Sequence, residues 1–431
     1  MSSDKSSFVA WNATVKSWKS KLIPLKDIEF DLNNALTFGI KFLTLRQEAK
    51  AYTEHSTCRI CFGESYYGND EGFFTACPTC PREKRFIFGG RYAIQQQIGS
   101  GTFSTTFRAV DRFSCLEERL VAIKVLNRNF TYIGINEVQV LQHLKLKDPK
   151  QHFPIVRFLD KFFWKQQYLC LVEEFLECEA LESPLVPFSP VYACNSYTNA
   201  LNFSAYLSQK ATISQLLHKF RKVAFQACKF LVFLQANQLI HADLKVDNVM
   251  FVHKHALNAA SPLAVRFIDF GNAVHFDNVA GYFIDFEIQS LAYRAPEVVF
   301  GCEFDEKIDV WSTGCCLFAI WTGKELFEQV DDEHSLCKSF VNLFGNDFAK
   351  GKFLQRGKFW NSFRSTLRTD IADESSTKLS KMLLASGLGE EGQDLICRML
   401  HPDPTERIAP KDCILHPFFE DFVDPILYCI A

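Results

Sequence analysis

The segment His241-Ala-Asp-Leu-Lys-Val-Asp-Asn248 places three charged side chains and an amide within eight residues. Twenty-one positions after Asn248, Asp269 ends a short apolar run. A carboxylate and an amide oxygen brought together can hold magnesium against a triphosphate. Each residue alone has a simpler explanation, such as a turn residue for Asp243 or a strand end for Asp269. Their order and spacing together favour one shared chemical site.

A glycine-rich segment, Gly99-Ser-Gly101-Thr-Phe-Ser104, lies between two strand patterns at residues 92–98 and 119–126. A dinucleotide-binding loop would open a helix, so that interpretation lacks its structural context. Glycines between two strands let backbone N–H groups approach phosphate oxygens closely. Taken alone, the segment is better explained by a hairpin turn.

A lysine, Lys124, ends the apolar strand pattern Val121-Ala-Ile-Lys124. An unpaired ammonium group is costly to bury there, so it needs an anion. Glu137 is the candidate partner, because it lies on the apolar face of a helix predicted over residues 133–146. A lysine held by that carboxylate can present its charge to nucleotide phosphates.

With these elements in this order, the sequence resembles the eukaryotic protein-kinase family from about residue 92 to about residue 420. Asp269-Phe-Gly271 and Ala295-Pro-Glu297 also match that family's motifs. The resemblance implies an α+β, bilobal protein-kinase fold, with a small β-rich N-lobe with one helix at 92–177 and a larger, mainly α-helical C-lobe at 178–420. It implies transfer of the γ-phosphate of ATP to serine and threonine hydroxyls of protein substrates, with tyrosine autophosphorylation as a further possibility.

The resemblance also implies roles for individual residues. Asp243 corresponds to the family's acceptor of the substrate hydroxyl proton, and Lys245 to the residue that neutralises the transferred phosphoryl group. Asn248 and Asp269 correspond to the ligands of the two Mg²⁺ ions. The implied ATP-binding residues are Gly99, Gly101, Thr106, Lys124 paired with Glu137, Glu174 and Leu176. The implied structural residues are Asp309, which holds the catalytic loop, and Arg407, which pairs with Glu297.

Within the family, Tyr293-Arg-Ala-Pro-Glu-Val298 and the long stretch from Gly323 to Gly389 resemble the CMGC group. Ala242 stands where most kinases have arginine, which resembles the homeodomain-interacting and dual-specificity tyrosine-regulated (DYRK) branches. That arginine often clamps a phosphorylated activation loop, so its absence weakens the expectation of such control.

A fixed negative charge occupies a regulatory position. Six residues before Tyr293, where the DYRK-like branches have a tyrosine, this chain has Glu287. Of the two arginine positions that would receive a phosphate, one is Leu291 and the other is Arg294. Glu287 facing Arg294 would replace the phosphate and make the kinase active without activation-loop phosphorylation. The alternative is that Glu287 is a solvated loop residue.

Several residues depart from the family pattern. Ser104 and Thr106 replace the third glycine and the usual valine of the glycine-rich loop. Aligning Cys170-Leu-Val172 with the strand before the hinge puts Glu173 at the gatekeeper position, where an apolar or small residue is expected. A one-residue shift that points Glu173 outward remains open. These departures motivate the alternative function of a pseudokinase that acts as an interaction scaffold.

Four cysteines upstream of the kinase-like region are spaced as zinc ligands. Cys58, Cys61, Cys77 and Cys80 form C-x2-C, fifteen intervening residues and a second C-x2-C. This spacing predicts a zinc-ribbon-like module at residues 58–81 that holds a structural Zn²⁺, because four protein ligands leave no open position. Four ordinary thiols are the alternative, and a redox pair is less favoured because neither C-x2-C opens a helix after a strand.

Composition bounds the remaining interpretations. The 431 residues are 48% hydrophobic and 23% charged with a formal net charge of -3, which excludes a small stapled scaffold and gives no global attraction to nucleic acid or anionic lipid. Arg82, Lys84 and Arg85 are too few to favour nucleic-acid binding. The absence of a long apolar run predicts no membrane span and an intracellular protein, nuclear or cytoplasmic, expected to be a monomer. Residues 1–57 and the tail at 421–431 receive no function.

Overall fold

The computed structural model describes residues 66–68, 72, 74–76, 87–88, 90–114, 119–176, 213–252, 264–282, 288–345, 348, 351–367 and 378–422. The chain divides into two compact units, of which the first comprises the described residues within 1–95 and 110–119. Several sequence predictions concern residues outside the described ones: the extension at 1–57, the four zinc cysteines, the boundary at 177/178 and Glu287.

The first unit contains short antiparallel strand pairs. Strand β1 (Tyr66–Gly68) pairs with β2 (Phe74–Ala76), and β3 (Ile87–Phe88) pairs with the start of β4 (Tyr92–Ser100). Arg91 donates two hydrogen bonds to the carboxylate of Asp111, at 2.8 and 2.7 Å. Burial would raise the pKa of Asp111, but the hydrogen bond and charge of Arg91 outweigh it and lower that pKa. This bidentate pair therefore stabilises the unit above about pH 4.

The second unit contains the greater part of a curled sheet. Its strands follow the order β4-β5-β6-β8-β7, where β5 is Ser104–Asp111, β6 is Arg119–Leu126, β7 is Phe158–Trp164 and β8 is Tyr168–Glu174. Val121, Ile123 and Val125 of β6 are buried on one face, while the residues between them are half-buried on the other. This alternation follows from the two-residue period of a strand. It leaves Lys124 on the more open face.

One helix packs on this sheet. Helix α1 (Thr131–Lys147) follows a short 3-10 turn, which is capped by the side chain of Asn127 accepting a hydrogen bond from the backbone N–H of Asn129. Gly134 allows a close approach, because a Cβ there would meet Leu126 Cγ at 2.6 Å. The helix ends with Lys145 and Lys147, which suit the negative end of its dipole.

The rest of the second unit is mainly helical. Its regular elements are α2 (Ile213–Ala236), β9 (Leu239–Ile240), β10 (Val249–Phe251), β11 (Val265–Phe267), β12 (Val274–His275), α3 (Pro296–Val299), α4 (Lys307–Thr322), α5 (Glu333–Phe344), α6 (Trp360–Phe363), α7 (Lys378–Ala385), α8 (Glu390–Met399) and α9 (Pro410–Ile414). Strand β10 pairs with β11, and β12 pairs with β9, each antiparallel. The predicted site residues lie beside these two strand pairs. Asp243, Lys245 and Asn248 lie between β9 and β10, and Asp269 follows β11.

A buried ion pair ties this helical region together. Arg407 donates to both carboxylate oxygens of Glu297, at 2.6 and 2.9 Å, and both side chains are 0% exposed. The guanidinium group also lies over the ring of Trp311, 5.1 Å from its centroid. The predicted pairing is present in the structure, and removing either partner would leave an uncompensated buried charge.

The order of elements agrees with the kinase-like fold predicted from the sequence. A sheet with one helix precedes a mainly helical region that begins with the 24-residue α2. Among the helices that the structure describes, none is both long enough and apolar enough to cross a lipid bilayer.

Candidate active site

Three charged side chains meet beside the sheet: Lys124 on β6, Glu137 on α1 and Asp269 after β11. Lys124 Nζ donates to Glu137 Oε1 and Oε2, at 2.9 and 2.8 Å, and to Asp269 Oδ1 at 2.6 Å. Burial alone would lower the pKa of Lys124, but the carboxylates of Asp269 and Glu137 outweigh it and raise that pKa. The lysine is therefore permanently charged, and the predicted pair with Glu137 is formed.

The two carboxylates differ in their surroundings. Glu137 on α1 is fully buried, and this desolvation raises its pKa against the opposing charge of Lys124. For Asp269, burial also opposes ionisation, but the attraction of Lys124 wins and lowers the pKa. Asp269 has a left-handed backbone, with φ 64°, which is uncommon for a residue with a side chain. That conformation turns the chain directly after β11.

The turn after Asp269 is fixed by α1. Asn136 Nδ2 donates to the carbonyl oxygens of Gly271 and Ala273, at 3.1 and 3.0 Å. A Cβ on Gly271 would lie 2.6 Å from Ile133 Cγ2, so only glycine allows this approach. The helix therefore positions both Glu137 and the segment that carries Asp269.

The loop that carries Asp243 is held from below by Asp309 on α4. The two carboxylate oxygens of Asp309 accept the backbone N–H groups of His241, at 2.6 Å, and Ala242, at 3.0 Å. Ala242 has φ 62°, a strained value for a residue with a Cβ. His241 is buried, which lowers its pKa, and its Nε2 lies 3.0 Å from Ile268 O. The loop is thus anchored on both sides.

Three of the predicted residues meet in this loop. Asp243 Oδ1 accepts from Ser290 Oγ at 2.7 Å, and Lys245 Nζ lies 3.2 Å from Asp243 Oδ2 and 3.1 Å from Ser290 Oγ. Asn248 Nδ2 donates to Asp243 O at 2.8 Å. Because the amide nitrogen of Asn248 is used, its amide oxygen is the atom left for a cation. Oxygen atoms of Asn248 and Asp269 suit Mg²⁺, which prefers hard oxygen ligands.

The glycine-rich segment forms a closed turn between β4 and β5. Gly101 N donates to Ser104 O at 3.0 Å, and a Cβ on Gly101 would meet no atom within 4 Å. The Phe103 ring packs edge-on against Phe130, with centroids 5.0 Å apart. Thr106 lies half-buried on β5. The turn is therefore supported from one side and leaves space at Gly101.

Glu173 points inward. It lies opposite Ala122 in the β6–β8 register, so its side chain shares a face of the sheet with Ala122 and Lys124. The residue is 9% exposed, and burial, together with the charge of Glu137, raises its pKa to about 8. The alternative of an outward-pointing Glu173 is wrong.

Glu174 and Leu176 follow at the end of the strand. Glu174 Oε1 accepts from Arg266 Nε at 3.1 Å and from the backbone N–H of Arg157 at 2.9 Å. Its carboxylate is thus used to join the sheet to β11, and its backbone N–H donates to Arg157 O at 3.0 Å, so neither group is left for a nucleotide. Leu176 is buried.

Arg294 has partners that sequence reasoning missed. Its Nη1 donates to Glu333 Oε1 at 2.8 Å, and its Nε and Nη2 donate to Gln289 O. Whether Glu287 also approaches it stays a prediction. Ser290 and Asn136 were missed as well; the signal for Ser290 was a hydroxyl shortly before the Ala295-Pro-Glu297 motif.

Comparisons with known proteins agree with this geometry. Residues 92–419 match the family described as the protein kinase domain. The chain belongs to the protein kinase family. This kinase is 26% identical to human dual specificity protein kinase CLK1 over 356 residues, which cover 78% of this chain and 67% of the relative. It is 25% identical to human CLK4, over 78% and 67% of the two chains, and 27% identical to human CLK2, over 76% and 64%.

The family assignment decides the general activity. The kinase is an ATP-dependent enzyme that transfers phosphate to serine or threonine hydroxyls, and the predicted CMGC membership is confirmed. ATP and Mg²⁺ follow from the family. Among the described residues, no group of three or more His, Cys, Asp or Glu side chains is arranged to hold a metal ion. The predicted zinc cysteines lie outside those residues.

Proposed function

We propose that Asp243 is the group that accepts the proton of the substrate hydroxyl, with Lys245 beside the transferred phosphoryl group. The observation that carries this proposal is the joining of Lys124 to Glu137 and Asp269, with Asp243 held by Ser290. The ammonium group of Lys124 is poised for nucleotide phosphates. Positioning and electrostatics then supply most of the catalysis.

Magnesium would be held by Asp269 and Asn248. Held there, the ion would supply positive charge that neutralises the phosphates of ATP. The protein's own contribution is to fix these two oxygen ligands, through the left-handed turn at Asp269 and the hydrogen bond from Asn248 to the Asp243 carbonyl. Gly99, Gly101, Thr106 and the remaining backbone groups of Glu174 to Leu176 would contact the rest of the nucleotide.

Replacing Asp243 by asparagine tests the assignment. Loss of a general base costs on the order of 10²-fold or more, so Asp243→Asn should lower kcat by that factor while the protein stays folded. Asp412→Asn, on the exposed surface of α9, is the matched control and should keep full activity. Purified Asp243→Asn protein with an unchanged rate would show that the catalytic loop is wrongly assigned, whereas wild-type protein that transfers no phosphate would favour the scaffold interpretation.

The substrates are proposed to be proteins phosphorylated on serine, threonine and also tyrosine. The relatives CLK1, CLK4 and CLK2 are named dual specificity protein kinases, and this supports a dual specificity for the present chain. A monomer in the nucleus or cytoplasm remains our expectation. The lobe boundaries at 92–177 and 178–420 are kept as proposals too.

Two features outside the described residues are also kept as proposals. Cys58, Cys61, Cys77 and Cys80 are proposed to hold one structural Zn²⁺, on the strength of their spacing. Glu287 is proposed to replace an activating phosphate. The second proposal must allow for Glu333, which already pairs with Arg294. Glu287 would therefore share that arginine.

A further inference from the structure

The gatekeeper carboxyl group is an unusual element of the site. Glu173 lies on β8 directly opposite Ala122 of β6, and Lys124 is two residues further along the same face. Lys124 marks where the phosphates bind under the proposed function. A side chain on that face, next to the strand end at Glu174 to Leu176, is therefore placed for the base of the nucleotide.

Glu173 lacks a hydrogen-bond partner that its burial demands. The residue is 9% exposed, and its Oε1 is fully buried with no partner among the residues that the structure describes. Lys124 cannot serve, because its three donors are directed at Glu137 and Asp269. Buried polar atoms in native proteins are nearly always paired, so an orphaned oxygen indicates a missing partner.

The surroundings of Glu173 favour its neutral form. The charged groups near it are Glu137 on α1, Asp269 after β11, Lys124 on β6 and Glu174 on its own strand. Burial and the carboxylate of Glu137 outweigh Lys124 and raise the pKa of Glu173 to about 8. A neutral carboxyl group has both an acceptor oxygen and an O–H donor.

We propose that Glu173 selects adenine over guanine in the nucleotide site. Its carbonyl oxygen accepts a hydrogen bond from the exocyclic amine of adenine, and its O–H group donates to the ring nitrogen N7 on the same edge of the base. Guanine presents two acceptors on that edge, O6 and N7, so whichever of them the O–H group pairs with, the carbonyl oxygen of Glu173 faces another acceptor. A site built to pair with a substrate N–H rejects the analogue that lacks it.

Two substitutions separate this role from simple packing. Glu173→Gln keeps one acceptor and one donor in the same shape, whereas Glu173→Leu keeps the volume and removes both. Calorimetric titration with magnesium complexes of non-hydrolysable ATP and GTP analogues measures the two affinities. Because Glu173→Leu removes both hydrogen bonds to adenine, we expect it to weaken ATP-analogue binding at least about tenfold, with no loss for the GTP analogue. Glu173→Gln should keep the wild-type preference.

Controls make the outcome unambiguous. Val172→Ala changes a buried residue on the opposite face of the same strand and should leave the ratio of the two affinities unchanged. Thermal unfolding of each variant checks that it is folded. Wild-type affinity of Glu173→Leu for both analogues would overturn the inference.

The inference rests on the proposed function, and the two fail differently. A wild-type protein that binds the ATP analogue selectively but transfers no phosphate would contradict the proposed catalytic roles alone. A wild-type protein that phosphorylates substrates equally well with ATP and GTP would contradict the role of Glu173 alone.

Discussion

At the scale of single residues, Glu173 also couples folding to pH. Its pKa is about 8 in the folded protein against an ordinary value of 4.5. Between these pH values the folded state holds a proton that the unfolded chain has lost, so the free energy of unfolding falls as pH rises. Above pH 8 the folded protein carries a buried, ionised carboxylate near Glu137.

Glu173→Gln removes this titration. We therefore expect the variant to be more stable than wild type above pH 8 and similar to it near pH 5, as measured by urea unfolding at both pH values. Asp309, whose pKa burial raises to about 7, acts in the same direction, but it is present in both proteins and cancels in the comparison. An equal stability difference at both pH values would contradict the assigned titration.

At the scale of elements, the sequence predicted secondary structure better than it predicted contacts between residues far apart in the chain. The strand expected at 119–126 is observed as Arg119–Leu126, and the helix expected at 133–146 is observed as Thr131–Lys147. The strand alternates buried and half-buried residues, and the helix buries residues three or four positions apart, such as Glu137, Leu141 and Leu144. Both are local patterns. The bond from Ser290 to Asp243 spans 47 residues and the bonds from Asn136 span 135 and 137, so no local pattern encodes them.

The contact between α1 and the turn after Asp269 gives a prediction at this scale. Gly271→Ala would place a Cβ 2.6 Å from Ile133 Cγ2, so α1 or the turn must shift. Overpacking of this kind costs about 1–3 kcal/mol, and the shift also disturbs the contact of Lys124 with Glu137. We expect kinase activity to fall at least about tenfold.

A double variant provides the decisive comparison. Ile133→Ala removes the opposing methyl group, so Ile133→Ala/Gly271→Ala should recover part of the activity lost in Gly271→Ala. Gly389→Ala, where a Cβ would meet no atom within 4 Å, controls for the substitution itself. If the double variant is no more active than Gly271→Ala, the steric explanation is wrong.

At the scale of the whole molecule, the kinase region is large enough to fold without help from metal. Residues 92–419 exceed the size at which a single core becomes self-sufficient. A zinc module upstream would therefore stabilise its own segment rather than the catalytic core. The fold could be predicted from the sequence because the family's motifs concentrate in this region, whereas the front end carries only the cysteine spacing. The roles of the individual site residues stay predictions.

Metal analysis tests the proposed module. We expect about one equivalent of zinc per chain, lost when Cys58 and Cys61 are replaced by serine, because two thiolates are removed from a four-ligand site. Specific activity of the folded variant should stay near that of wild type. Purified protein with far less than one equivalent would contradict the module, and a metal-free variant with no activity would contradict its independence from catalysis.

The rate at which buried cysteines are alkylated would report local opening of the folded kinase. Of the eight described cysteines, six are buried. Burial raises the thiol pKa of one of these, Cys337, and of the half-buried Cys302 to about 12. Only thiolates react readily with electrophiles, so these protonated thiols are unreactive while the protein stays folded around them. Alkylation at Cys315 and Cys316 on α4, or at Cys413 on α9, then proceeds only through opening of the surrounding helices. Each alkylation rate thus measures how often the helices around that cysteine open. Comparing the rates would show which parts of the kinase open together.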